Sequence, residues 1–108
     1  MGVTKTKEFT KSQNELAVLA KAIGHPARIA ILQFLIQSKN CVCGAIVDEL
    51  PLSQSTVSQH LKELKNAGLI KGDIDGPTVC YCIDEKAWTR ARKLIGEMFD
   101  SYQGQDCC

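Results

Sequence analysis

Excess charge of either sign is nearly absent: 13 Lys and Arg stand against 12 Asp and Glu in 108 residues, a formal net charge of +1. That balance excludes both a strongly basic nucleic-acid coat and an acidic, solvating chain. No apolar run approaches the ~20 residues of a membrane-spanning helix. Met1 to Glu15 is polar and lysine-rich, without the apolar core of a secretory signal. The expected location is the cytoplasm, with no membrane partner. Histidine is scarce, and neither His25 nor His60 has a second ligand at metal-binding spacing. There is no Cys-x-x-Cys, no cofactor loop and no general base beside a thiol, so a thiol enzyme or metal buffer ranks low. Internal repeats and linkers are missing too, and a chain of this length forms one domain with a modest core.

Cysteine, by contrast, is abundant. There are six, at positions 41, 43, 80, 82, 107 and 108. In a reducing compartment such a set is not expected to be a disulfide framework. Metal binding or thiol chemistry is the better expectation.

The most informative segment is Leu52-Ser53-Gln54-Ser55-Thr56-Val57-Ser58-Gln59-His60-Leu61-Lys62-Glu63-Leu64. Val57, Leu61 and Leu64 recur at i, i+4 and i+7, which places them on one helical face. Ser53 suits an N-cap, and Gly68 suits the left-handed residue that ends a helix. The polar remainder can exchange hydrogen bonds with base edges. A solvated amphipathic helix would have the same periodicity, so the order of elements decides. Ser12 to Ile23 is predicted as a first helix, broken at Gly24-His25-Pro26. Pro26 to Gln37 is a second, with Pro favoured at its start. Gly44 to Leu50 is a third, ended by Pro51, and Ser53 to Ala67 a fourth. Leu69 to Ile74 and Thr78 to Ile83 are β-prone runs around Asp75-Gly76-Pro77. Glu85 to Tyr102 is a last helix, with Trp88, Ala91, Leu94 or Ile95, Met98 and Phe99 on one side. Residues 1–11 are read as a flexible arm, 12–102 as the domain and 103–108 as a polar tail. The expected fold is mainly α with a small β-hairpin, a winged helix-turn-helix of order α-α-α-α-β-β-α.

Three stretches carry a resemblance to the ArsR/SmtB family of metal-responsive repressors: Leu19 to Arg28, Leu52 to Leu61, and Leu64-Lys65-Asn66-Ala67-Gly68-Leu69-Ile70. The similarity runs from about Leu16 to Phe99. The family usually has Asp or Asn where His25 stands. The resemblance implies a homodimer paired through its first and last helices, whose two reading helices meet an inverted-repeat operator in double-stranded DNA about one helical turn apart. Gln54, Ser55, Thr56, Ser58, Gln59, His60 and Lys62 are the expected DNA contacts, with local packing the alternative for His60. Lys65 and Lys71 are near enough to sit on phosphates.

Cys41-Val42-Cys43 precedes the third helix, where a helix N-terminus favours thiolates and soft ions. The resemblance makes it the Cys-Val-Cys of the arsenic- and cadmium-sensing branch. A pyramidal arsenic(III) site needs a third thiolate, yet Ile46 stands at that branch's third position. The cadmium pattern's arm cysteines are missing as well. Cys107 and Cys108 in the tail are candidate further ligands, alongside Cys41 and Cys43. Cys80 and Cys82 alternate with Val79, Tyr81 and Ile83, so both thiols share one strand face. Their Cα atoms are about 6.6 Å apart in a strand, too far to bond to each other easily. The zinc-sensing branch, with Asp and His along the last helix, is nearly excluded because that helix has no His. The wing also departs from the family's basic pattern: Asp73 and Asp75 would repel phosphate. The expected function is a repressor released from its operator by arsenite or a soft divalent ion such as cadmium, without an obligatory cofactor. The alternative is the same repressor gated by thiol oxidation or reactive sulfur.

Overall fold

A computed structural model describes residues 6–39, 41–43, 52–73 and 80–104. A short 3-10 turn, Thr6–Glu8, leads into α1 (Lys11–Ile23), followed by α2 (Pro26–Ser38), β1 (Val42–Cys43), α3 (Gln54–Asn66), β2 (Ile70–Asp73), β3 (Cys80–Ile83) and α4 (Glu85–Asp100). The third helix expected over Gly44 to Leu50 lies outside the described residues, as do the wing tip and Cys107 and Cys108. No single described helix is long and apolar enough to cross a membrane.

Capping chemistry sets the helix boundaries. At α1, the Thr10 hydroxyl accepts from the Gln13 N–H, and the Gln13 side chain accepts from the Thr10 N–H. This reciprocal capping box satisfies two otherwise orphaned donors. It also starts the helix inside the segment read as a flexible arm. Pro26 opens α2, and His25 is its N-cap, with Nδ1 accepting from the Ala27 N–H at 3.0 Å. An N-cap needs only a side-chain acceptor, so His25 fills the place of the family's usual Asp or Asn. Asp84 caps α4 through the Ala87 N–H.

α3 ends as its residues predict. The Gly68 N–H bonds to the Lys65 carbonyl and the Leu69 N–H to the Leu64 carbonyl, with Gly68 at φ +87°. This paired closure requires a left-handed residue at that place. Replacing Gly68 by alanine meets no steric obstacle. It is therefore expected to cost only about 1 kcal/mol, the penalty of a side chain at positive φ, measurable by urea titration.

The core is built where the faces of α1, α2, α3 and the sheet meet. Ile31 and Leu64 are fully buried, with Leu32, Leu35, Val57, Leu61, Leu69, Ile70 and Tyr81 around them. The sheet has three strands in the order β1-β3-β2, all antiparallel. Period two divides it: Val42, Tyr81, Ile83 and Ile70 turn to the core, while Cys43, Cys80, Cys82 and Lys71 take the other face. α1 and α4 pack side by side, joined by a bidentate contact in which Arg90 donates from Nε and Nη2 to the two Glu15 carboxylate oxygens. The Arg90 hydrogen bond holds the Glu15 carboxyl below its ordinary range.

Candidate nucleic-acid interface and thiol ladder

α3 buries one stripe and presents the rest. Val57, Leu61 and Leu64 seat it against the core, while Gln54, Ser55, Thr56, Gln59 and Lys62 are exposed and Ser58 is half-buried. At its start, the Ser53 hydroxyl accepts from the Thr56 N–H and lies 3.2 Å from the Ser55 hydroxyl and 2.9 Å from that of Thr56. The first turn is thus a linked group of small hydroxyls on an accessible helix end.

Of the two roles open to His60, phosphate contact or local packing, its surroundings are those of packing. It is 8 % exposed, turned inward, with Nδ1 accepting from Arg28 Nε at 3.1 Å. Its ring is 4.4 Å from that of His25, centroid to centroid. Arg28 Nη1 also donates to the carbonyls of Lys21 and Ala22, at 3.3 and 3.2 Å. One guanidinium therefore ties the end of α1 and the start of α2 to the reading helix, and His60 supports that helix rather than lying on its outer face. The signal was faint in sequence because His60 sits one residue from Leu61 and shares the edge of its stripe. Lysine cannot reproduce a planar fork, so Arg28→Lys is expected to lower stability by about 2 kcal/mol by stranding the acceptors. Urea unfolding reads this directly, and a loss under a quarter of that size would show the fork to be incidental.

Burial pushes the His60 imidazole below its ordinary value of 6.5; charge at His25 and Arg28 acts in the same direction and Glu63 opposes it. A protonated Nδ1 would also meet the Arg28 donor. The sign follows by linkage. Between the lowered folded value and 6.5 the unfolded chain binds more protons, so stability falls as pH drops below about 6.5 and levels off once the folded imidazole protonates. The unfolding midpoint is expected to be lower at pH 5.5 than at 7.5, with a smaller difference in His60→Gln. The same difference in both proteins would assign the effect to other groups.

The cysteines form a ladder. β1 pairs with β3 so that Val42 opposes Tyr81 and Cys43 opposes Cys80. Disulfides join Cys43 to Cys80 and Cys41 to Cys82, with Cα separations of 4.1 and 4.3 Å. These short separations are typical of the narrow, non-hydrogen-bonded pairs of an antiparallel ladder. Val42–Cys43 is thus an edge strand of the sheet, with Cys41 immediately before it, and the helix expected to follow lies outside the described residues. Strand spacing places the nearest sulfur across the ladder rather than along it, so the four cysteines are grouped in two pairs. A disulfide sulfur is not a thiolate, and thiolates are what soft ions require. Among the described residues no group of three or more His, Cys, Asp or Glu is arranged to hold a metal. Period two places Cys80 and Cys82 on one face but does not supply their partners, because a two-residue strand is too short to show an alternation of its own.

The sequence pattern of the bacterial regulatory protein arsR family matches residues 25–71, from the cap of α2 through the reading helix into β2. An uncharacterized HTH-type transcriptional regulator of Methanocaldococcus jannaschii, MJ1325, is 39 % identical over 83 residues, 76 % of this chain and 92 % of that protein. This chain belongs to the arsR family. The transcriptional activator HlyU of Vibrio cholerae is 35 % identical over 93 residues, covering 86 % of this chain and 85 % of HlyU. The structure of reduced HlyU from Vibrio cholerae N16961 superposes with a TM-score of 0.62 at 28 % identity, covering 90 % of this chain and 99 % of that one. The arsR-family chain described here is thus a DNA-binding transcriptional regulator with a winged helix-turn-helix fold, and its role is not enzymatic.

Proposed function

We propose that this regulator binds operator DNA through the outer face of α3 and that the Cys41/Cys82 and Cys43/Cys80 pairs gate the binding by their thiol state. One observation carries the gating: both disulfides cross from the Cys41-Val42-Cys43 segment to β3, linking the chain ahead of α3 to the hairpin behind it. Oxidation staples these two parts together, and reduction leaves only the strand pairing. A change in thiol state therefore changes how freely the segment leading toward α3 moves against the hairpin that follows it. That a structural neighbour was solved in a reduced state agrees with thiol state being a variable in this fold. The experiment is fluorescence anisotropy of a labelled duplex from the protein's own promoter, with oxidised and fully reduced protein. A coupling of ~1–3 kcal/mol corresponds to a change in affinity of roughly 5–150-fold. Equal affinities in the two states would overturn the gating.

The DNA contacts proposed are Gln54, Ser55, Thr56, Ser58, Gln59 and Lys62, supported by the exposure of all but the half-buried Ser58 on one helix. Gln59→Ala is expected to cost ~1–3 kcal/mol on the operator and less on random duplex, as for loss of a base contact. Lys62→Ala weakens both alike and flattens the salt dependence by about one unit. The regulator acts as a homodimer in this reading. A largely apolar groove of about 470 Å³ between α1 and α4 is lined by Leu19, Ile23, Trp88, Ala91 and Ile95, and Met98 and Phe99 farther along α4 are exposed, the latter 70 % exposed. Exposed apolar surface of this kind suits a second copy.

A second reading keeps arsenite or cadmium as effector at Cys41 and Cys43. Reduction would free Cys80 and Cys82 on the same sheet face, which supports it, and Cys107 and Cys108 remain candidate ligands. Release of reduced protein from DNA by near-stoichiometric arsenite or cadmium would favour this reading over oxidation.

A further inference from the structure

The two disulfides are not equivalent, and their neighbours show why. Cys82 pairs across β3–β2 with Lys71, whereas Cys80 pairs with Asp73. One row of the sheet therefore reads Cys41, Cys82, Lys71, ending on a cation. The next reads Cys43, Cys80, Asp73. Cys41 and Cys82 also line a cavity of about 680 Å³, within the size range of small-molecule sites. Ile36 and Trp88 give it an apolar wall. Its charged lining is Lys39, Lys71 and Glu85, two cations against one carboxylate. Lys39 reaches the rim from the left-handed C-cap of α2, at φ 61°. Among the described residues neither lysine is held in an ion pair. Cys41 and Cys43 are both exposed, so the cavity and Lys71, not exposure, set the Cys41–Cys82 pair apart.

We propose that the Cys41–Cys82 disulfide and this cavity form a thiol–disulfide exchange site for a small thiol bearing carboxylates, and that Cys43–Cys80 is the slower, structural pair. The inference rests on the thiol-gated reading above and names its reactant. The reagent enters as a thiolate with its carboxylate toward the lysines. Its sulfur attacks Sγ of the exposed Cys41, the Cys41–Cys82 bond breaks, and the electron pair leaves on Cys82 Sγ. There Lys71 stabilises the new thiolate, and a better-stabilised leaving thiolate departs faster. Cys41 is left in a mixed disulfide with the reagent. A second reagent thiolate attacks the reagent sulfur of that bond and releases the Cys41 thiolate. Both cysteine thiolates take up the protons lost by the two reagent thiols. Two thiols become one reagent disulfide, and two electrons pass to the protein. The reverse sequence, started by the reagent disulfide, re-forms the Cys41–Cys82 bond.

The test uses oxidised full-length protein carrying Cys107→Ser and Cys108→Ser. Its reduction is followed by mass spectrometry with mercaptosuccinate, 2-mercaptoethanol and cysteamine, each rate corrected for that reagent's thiolate fraction. Mercaptosuccinate is expected to open Cys41–Cys82 roughly tenfold faster than cysteamine, the scale of local electrostatic steering, with the first mixed disulfide on Cys41. Lys39→Gln with Lys71→Gln brings the ratio toward one, and Lys71→Arg with Lys39→Arg restores it. High salt also lowers it. Equal rates for the three reagents, first attack at Cys43–Cys80, or a ratio indifferent to the lysines would each overturn the proposal. Anisotropy on the same samples separates the two claims: normal anionic preference with unchanged DNA affinity sinks the gating alone, and gating without anionic preference sinks the exchange site alone.

Discussion

Gly72→Ala is expected to lower stability by about 3 kcal/mol, combining backbone strain with overpacking. Gly72 sits in β2 opposite Tyr81 at φ +131°. A Cβ built there lies 2.1 Å from the Cys80 carbonyl oxygen and 2.7 Å from Tyr81 Cα. Both obstacles are backbone atoms of the paired strand, so no side chain can swing aside. The alanine is accommodated only if β2 and β3 separate, which breaks the pairing that holds Tyr81 over the core and Lys71 beside Cys82. For a domain of this size each kcal/mol is worth roughly 4–8 °C in Tm, so calorimetry should record a drop of more than about 10 °C. Gly68→Ala, also at positive φ but with open space around its Cβ, is the control and should fall much less. If the two variants melt together, the close approach at Gly72 does not hold in solution.

Removing the disulfides is expected to be strongly non-additive. They join residues 41 and 37 positions apart, one ring nested inside the other. Closing a ring of that length restricts the unfolded chain by about 4 kcal/mol in the chain-entropy account. Once either bond has closed it, the other adds only a small inner ring, worth about 2 kcal/mol at most by the same relation. Cys41→Ser or Cys43→Ser alone should therefore cost no more than about 2 kcal/mol, and the second removal about twice the first. Urea unfolding of the oxidised single and double variants decides it, with fully reduced protein falling beside the double variant. Strictly additive losses would mean that each bond acts through local native contacts and not through a shared ring.

Much of this architecture was legible in residue order because it depends on local chemistry. The Val57, Leu61 and Leu64 stripe, the Ser53 cap and the Gly68 closure each lie within one helix turn or one connection, and each stands where its residues indicate. The alternation around Tyr81 likewise assigned Cys80 and Cys82 to one face. Boundaries shifted where a cap outweighed composition: Thr10 and Gln13 start α1 one residue earlier than expected, and α4 closes at Asp100 rather than Tyr102.

The sequence by itself determined the helix-turn-helix, the hairpin and the arsR-family membership, because periodicity, caps and turn residues act over a few positions. Only the tertiary structure decided what the cysteines are to one another. Cys41 and Cys43 meet Cys82 and Cys80 through an antiparallel pairing about 40 residues distant, and a two-residue strand carries no periodic signal of its own. The same distance hid the Arg28 fork on His60 and the placement of Lys71 beside Cys82. Both depend on register between elements, which is set by how the buried faces fit together and not by any residue's immediate neighbours.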